Sequence, residues 1–291
     1  MSLPHATDDF LSGESGSVSG PRLRATRTLA DAAHSLASLI TLVGPRLDRL
    51  AAGQAPRRVL VLGVYRPGSR LARTLPRLRS ERHDVRVALG ATADIADPAL
   101  GDATEVTGMD GGKFENLNLL LARAEPQTAD WIVVVDDDVE LPHRFLDRFL
   151  ALCERLRLDI AQPAQTARSH AAWRVTRRQP LSLARRTSYV EIGPVTAFST
   201  RAAGELLPFP ELQFGWGLDN HWSAVAAERG WRMGITDAVP VKHERRPVAV
   251  NYPHADAVAE ARQLLAERSW TPAAEAAVTV RSHTRIPGAA Q

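Results

Sequence analysis

Cysteine is nearly absent: Cys153 is the single one in 291 residues, so no internal disulfide can form, and a reducing, cytoplasmic setting is expected. No apolar run approaches the length that a membrane span requires, and no basic stretch followed by an apolar core marks a signal peptide near the N-terminus. Charge of one sign is not in excess either. Lys and Arg total 36 against 33 Asp and Glu, a net charge of +3 spread along the chain. That balance argues against a nucleic-acid partner, which needs a concentrated basic footprint. There is no Walker A sequence, no GxGxxG behind a strand, no GxSxG and no paired CxxC. His170, His221 and His254 have no zinc-type spacing. No internal repeat is present.

What is there suits a globular α/β protein, with 44% hydrophobic and 24% charged residues. Residues 1–21 are rich in Ser, Gly and Asp and read as a disordered leader. Residues 22–56 read as a helical segment, in which Leu29, Leu36, Leu39, Ile40, Val43, Leu47 and Leu50 recur at helical spacing. Gly44-Pro45 should kink or divide it. A helix packed on its own domain is the plainest reading; a homodimer contact or a membrane-surface contact stays open.

From residue 57 strands and helices alternate. Val59–Val64 and Trp131–Val135 are continuous apolar runs suited to buried parallel strands, with a further strand over Val85–Leu89. Helices are expected over Ser69–Arg79, Lys113–Ala124, Pro142–Arg157, Asp219–Gly230 and Ala255–Glu267, and short strands over Met233–Ile235 and Val239–Val241. This order predicts a mostly parallel sheet flanked by helices. Residues 163–188 carry few core residues. Their six arginines between Arg168 and Arg186, with His170 and Trp173, read as a mobile solvated loop or an anion-recognising one. Cys153 falls on the apolar face of its helix and is expected in the core. The tail, 271–291, reads as weakly ordered.

The chemistry concentrates where the strand WIVVV runs into DDDVELP. Ligands bind outside the carboxyl ends of strands in an open parallel sheet. Asp136 and Asp138 are one residue apart, so in an extended segment they share a side. Two adjacent carboxylates repel unless a cation lies between them, and hard oxygen ligands suit Mg²⁺ or Mn²⁺. The alternative is an acidic turn capping the next helix.

WIVVVDDDVELP resembles the DxD segment of the GT-A nucleotide-diphospho-sugar glycosyltransferases, in particular their family-2-like branch. The resemblance spans roughly residues 57–250 and implies a Rossmann-like GT-A domain over 57–270 with an N-terminal helical extension. It implies a donor that is a nucleotide-diphosphate sugar, UDP-linked by slight preference, and a divalent cation. Asp136 would lie on the nucleotide side and share the metal, and Asp138 would be the direct ligand. The role of Asp137, placed with the donor contacts, stays open. GGKFENLN resembles the helix start that precedes this strand in the family and places Lys113 and Asn116 at the donor. VYRPG ends the first strand and places Tyr65, Arg66 and Pro67 near the base and ribose, with Asp94 beyond the second strand. FGWGLDNHW is similar to the GWGxD segment. It implies Asp219 as general base of an inverting transfer, with Trp216 and Gly217 at the acceptor; Trp222 fits the acceptor site or the core equally. Glu191 is a further acceptor candidate. VPVKH looks like the late segment whose histidine, here His243, completes the metal site, and an imidazole ligand makes Mn²⁺ the apt ion. Arg245 and Arg246 would meet the leaving diphosphate or form a solvated loop. A nucleotidyltransferase and a non-catalytic nucleotide-sugar binder are the competing readings.

Overall fold

The computed structural model describes residues 9–11, 21–169, 171–243 and 253–286. Most of the 1–21 leader, His170, Arg245 and Arg246 lie outside the described residues. The helices are α1 (Pro21–Ile40), α2 (Val43–Ala52), α3 (Leu71–Thr74), α4 (Lys113–Arg123), α5 (Phe145–Leu156), α6 (Thr200–Leu206), α7 (Leu218–Arg229), α8 (His254–Ala266) and α9 (Ala273–Ala276). The strands are β1 (Arg58–Tyr65), β2 (Asp84–Ala91), β3 (Thr104–Val106), β4 (Trp131–Val135), β5 (Val139–Glu140), β6 (Ile160–Gln165), β7 (Ala184–Thr187), β8 (Val195–Ser199), β9 (Met233–His243) and β10 (Thr279–His283).

One sheet runs β10-β7-β9-β6-β8-β4-β1-β2-β3, and β5 pairs with β9 off this path. The β3-β2-β1-β4 half is parallel throughout. Beyond β4, strand β8 runs antiparallel to both neighbours, and β9 resumes the parallel direction beside β6. The apolar runs of β1 and β4 are continuous because both faces of the sheet are covered. Val59, Val61, Trp131, Val133 and Val135 pack with α5 and Leu47 of α2. Leu60, Leu62, Ile132 and Val134 pack with α4, α6 and α7 on the opposite face. Alternation within each strand delivers one set to each layer.

The N-terminal segment divides at Thr41-Leu42, with Leu42 left-handed at φ 53°, and not at Gly44-Pro45. Pro45 sits in the first turn of α2, where its missing N–H costs nothing. Helix α2 is tied to α5 by the Asp48–Arg148 pair, with contacts of 2.8 and 2.9 Å. Helix α1 docks through its polar side. Asp31 accepts from the amides of Ala167 and Arg168, and Ser38 accepts from Arg178. Its Leu29, Leu36, Leu39 and Ile40 are exposed, so the apolar stripe is not what holds this helix to its own domain.

Other expectations are corrected. Helix α5 begins at Phe145, three residues after Pro142, because Arg144 is left-handed. The two short strands after residue 232 are one, β9, whose apolar pattern is masked by buried Thr236 and Asp237. Residues 163–188 are not a solvated loop. Trp173 and Val175 are buried with Tyr189 and Ile235. Arg185 is fully buried on β7 and makes a bidentate pair with Asp237, at 2.8 and 3.0 Å, while its remaining donors reach the Val175 and Arg177 carbonyls. The weakly ordered tail contains α9 and β10, and β10 pairs antiparallel with β7. Cys153 is buried in the core as expected.

A buried ion pair is costly to break because the surviving charge has no water to turn to. Asp237→Ala is therefore expected to lower unfolding free energy by about 3–5 kcal/mol, measured by denaturant titration. Replacing both partners together by apolar residues should recover most of that loss.

Candidate metal and acid–base site

Strand β4 ends against the sheet's antiparallel insertion, where the Asp136 amide donates to the Pro194 carbonyl at 2.8 Å. The chain then turns and pairs as β5 with the far end of β9, setting Val139 opposite His243 and Glu140 opposite Lys242. This pairing brings His243 to the acidic cluster across a hundred residues of sequence. Its Nε2 lies 3.1 Å from Asp138 Oδ1. One ligand atom from each of Asp136, Asp138 and His243 falls within 4.8 Å of the others. Two carboxylate oxygens and an imidazole nitrogen form a donor set that suits Mn²⁺ or Mg²⁺. On His243, burial opposes the charge, but the hydrogen bond it donates to Asp138 and the charges of Asp138, Asp136 and Glu191 outweigh it and raise the pKa.

The third aspartate is occupied elsewhere. Asp137 receives the Arg66 backbone amide at 3.0 Å and its guanidinium at 3.0 and 2.7 Å. Both residues were expected at the donor. Through these contacts Asp137 ties the end of β1 to the turn after β4. Tyr65, expected near the base and ribose, is 3% exposed, and its hydroxyl is engaged by Thr104 and the Asp97 amide. Pro67 and Asp94 are exposed on the loops after β1 and β2.

Lys113, at the start of α4, lies 2.6 Å from Asp136 and donates to the Ile192 carbonyl at 2.8 Å. Asn116 is buried and donates to the Gly111 carbonyl at 2.7 Å. Its Oδ1 has no hydrogen-bond partner among the described residues. A Cβ on Gly193 would come within 2.6 Å of Asp136 Oδ2 and 3.3 Å of Lys113 Nζ, so a larger residue there would push on this pair.

A second acidic group lies behind this one. Asp219, in the first turn of α7, is buried, and burial pushes its pKa up to about 6 against the pull of the Tyr189 hydroxyl and the Asn220, Asp219 and Ile192 backbone amides. Glu191 is raised by burial to about 7, with the Asp219 charge adding to the rise. Its carboxylate accepts from the Trp173 amide at 2.7 Å and from Gln165. Gln162 staples the segment, accepting from the Glu191 amide and donating to the Gly193 carbonyl. Reading the sequence missed Gln162, Gln165 and Tyr189. Two glutamines inside an otherwise apolar strand, IAQPAQ, were the available signal.

The aromatic loop before α7 is partly given over to support. The Trp216 ring meets His254 edge-on, with centroids 4.8 Å apart, and is half-buried against α8. Gly217, at φ 80°, caps α7 and packs on Leu265. Trp222 is core, 1% exposed among Phe198 and Phe209.

No protein-family model matches the sequence, and no curated protein matches it. Solved structures do. The mannosyltransferase PcManGT from Pyrobaculum calidifontis, in complex with GDP-Man and Mn²⁺, superimposes with TM-score 0.50 at 17% identity, over 86% of this chain and 77% of that one. GalNAc-T7 with UDP, GalNAc and Mn²⁺ superimposes with TM-score 0.52 at 13% identity, over 72% of this chain. The chain spans about half of GalNAc-T7, 48%. These likenesses show the fold: the chain shares the GT-A fold of these two glycosyltransferases, preceded by an N-terminal helical segment. No helix among the described residues is long and apolar enough to cross a membrane.

The raised pKa of Glu191 sets a stability test. The folded state holds its proton up to about pH 7, whereas the unfolded carboxyl releases it near 4.5. Between those values the native state binds more protons, so this group's contribution to stability falls as pH rises. Glu191→Gln removes the titration, and an amide rotation of Gln165, whose Oε1 has no partner among the described residues, would let the new side chain donate to it. The stability of the variant relative to wild type should therefore grow from pH 4.5 to pH 7. Urea unfolding at fixed pH values checks it; a constant difference would show that Glu191 is ionised throughout.

Proposed function

We propose that the protein is a metal-dependent glycosyltransferase of the family-2-like kind, moving a sugar from a nucleotide-diphosphate donor to an acceptor hydroxyl with inversion. The observation that carries it is the Asp136, Asp138 and His243 donor set at the carboxyl end of β4, backed by the buried acids Asp219 and Glu191. Both fold neighbours described above carry Mn²⁺ and a nucleotide or nucleotide sugar, which supports the reading.

Asp138, Asp136 and His243 would hold the divalent cation, with Mn²⁺ favoured by the imidazole. Held by these residues, a cation would supply Lewis-acid stabilisation of the charge on the departing diphosphate. Lys113, now paired with Asp136, is placed to turn its ammonium to the same diphosphate. Arg66 and Pro67 line the approach from β1, with Asp94 and the free Asn116 carbonyl as further donor contacts. Asp219 accepts the acceptor hydroxyl's proton. The acceptor oxygen attacks the anomeric carbon, and the electron pair of the carbon–oxygen bond to phosphate departs with the diphosphate. Glu191 and the exposed part of Trp216 border the acceptor. A pKa of about 6 suits a base that must be ionised near neutral pH. UDP is the favoured nucleotide. The exposed leucines of α1 support a homodimer or membrane-surface contact, and a cytoplasmic location belongs to the same proposal.

Calorimetry with UDP, GDP and TDP, with and without Mn²⁺, tests the donor site. One nucleotide should bind in a metal-dependent manner, and Asp138→Ala should abolish that binding. A folded wild type that binds none of them in either condition overturns the reading. Binding without turnover favours the non-catalytic binder, and transfer of a nucleotidyl group favours the nucleotidyltransferase.

Catalysis gives a separate expectation. Asp219→Asn should lower kcat by about 10²–10⁴-fold while leaving nucleotide binding in place. In the wild type, kcat/KM should fall on the acid side as the coupled pair of acids gains protons between about 6 and about 7. An Asn variant of undiminished kcat would remove Asp219 as the base.

A further inference from the structure

The loop that presents Asp219 does not hold its own shape. Its residues 213–215 expose three successive backbone N–H groups, and all three donate to one side chain of α8. Glu260 accepts from Gln213 at 2.6 Å and from Phe214 and Gly215 at 2.9 and 2.8 Å. Successive amides converging on one carboxylate form an anion-binding concavity, and charge-assisted bonds of this kind are the stronger class. Helix α8 grips the same loop at two further points, through the His254–Trp216 ring contact and through Leu265 against Gly217. Just beyond, the Asn220 side chain donates to the Thr271 carbonyl at 2.8 Å, and Thr271 N–H donates back to the Asn220 carbonyl at 3.1 Å.

The opposite side of the loop presses on the start of α4. Gly215, at φ 78°, lies so close to Phe114 that a Cβ would fall 1.9 Å from the ring, and a Cβ on Gly112 would meet the Gln213 backbone at 2.3 Å. Lys113, between Gly112 and Phe114, is the residue paired with Asp136. The loop is thus clamped between the helix that carries a donor-side lysine and the helix that carries Glu260, and Asp219 follows it by four residues.

We propose that Glu260 is a positioning residue for this loop, holding Gln213–Gly215 so that Trp216 and Asp219 keep their places at the entry to α7. The inference rests on the transferase reading for its kinetic consequence, but not for its structural one. A base displaced by about 1 Å costs on the order of 10²-fold in rate. Glu260 touches no reacting atom, so its loss should act on turnover and leave the metal and nucleotide ligands undisturbed.

The test compares wild type with Glu260→Gln, which keeps size and removes charge, and Glu260→Ala. Hydrogen exchange read by mass spectrometry reports the amides of residues 213–215 directly. Their exchange should quicken by about tenfold or more in both variants. Calorimetry with UDP and Mn²⁺ should give wild-type affinity, while kcat falls by about 10²-fold with the acceptor KM raised. Unchanged protection of these amides overturns the proposal. So does released protection with wild-type kcat, which would leave Glu260 a purely structural role. A wild type that binds nucleotide without turnover overturns the transferase reading instead, and the exchange result alone then decides whether Glu260 holds the loop.

Discussion

Carboxylate crowding is the constraint around which the rest of this structure is arranged. Asp136, Asp137, Asp138, Glu191 and Asp219 gather at one end of the sheet, and four of them, Asp137, Asp138, Glu191 and Asp219, are below a tenth exposed. Unrelieved, such a set would repel itself and forgo hydration. Each acid instead has its own relief. Arg66 takes Asp137, Lys113 takes Asp136 and His243 takes Asp138. Glu191 has the Trp173 amide and Gln165, and Asp219 has the amides at the start of α7 and the nearby Tyr189 hydroxyl.

The forms of relief differ, and the difference separates support from chemistry. Asp137 is fixed by a bidentate guanidinium and a backbone amide, three charge-assisted bonds to one carboxylate. Asp136 faces Lys113 and Asp138 faces His243, positive groups whose charge a divalent cation could supply instead. Glu191 and Asp219 are answered mostly by neutral groups, so burial dominates and their pKa values rise towards neutrality. One fold end thereby holds acids suited to a metal and acids suited to moving a proton, a separation set by environment alone.

Supporting elements follow from these needs. Strand β5 is two residues long, yet its pairing with β9 places His243. The inserted strand β8 carries Pro194 to the Asp136 amide and leaves Ile192–Gly193 between Lys113 and Asp219. The buried Arg185–Asp237 pair locks β7 to β9. Helix α8 stabilises the loop before α7 from outside. Elements remote in sequence thus converge on a small volume, as expected of a site held within narrow tolerances by a rigid scaffold.

Much of this was legible in the residues. The continuous apolar runs of β1 and β4, the helical faces of α4 and α5, and the three aspartates after β4 are local signals, determined by period and adjacency. Asp136, Asp138 and His243, the candidate metal-ligating set, were visible as residue types too. Local pattern failed where polar groups are buried. β6 reads as irregular because its glutamines serve Glu191 and Gly193, and β7 because Arg185 finds Asp237 fifty-two residues away. Neither partner is visible in a short window, so neither strand has a period to detect. The same limit applied to function. Sequence determined that carboxylates would cluster at the end of β4; tertiary structure decided that Asp137 pairs with Arg66, that Tyr65 is buried and that α1 docks by its polar side. The physical reason is that a side chain's role depends on which distant groups neutralise or desolvate it, and only the folded chain chooses those groups.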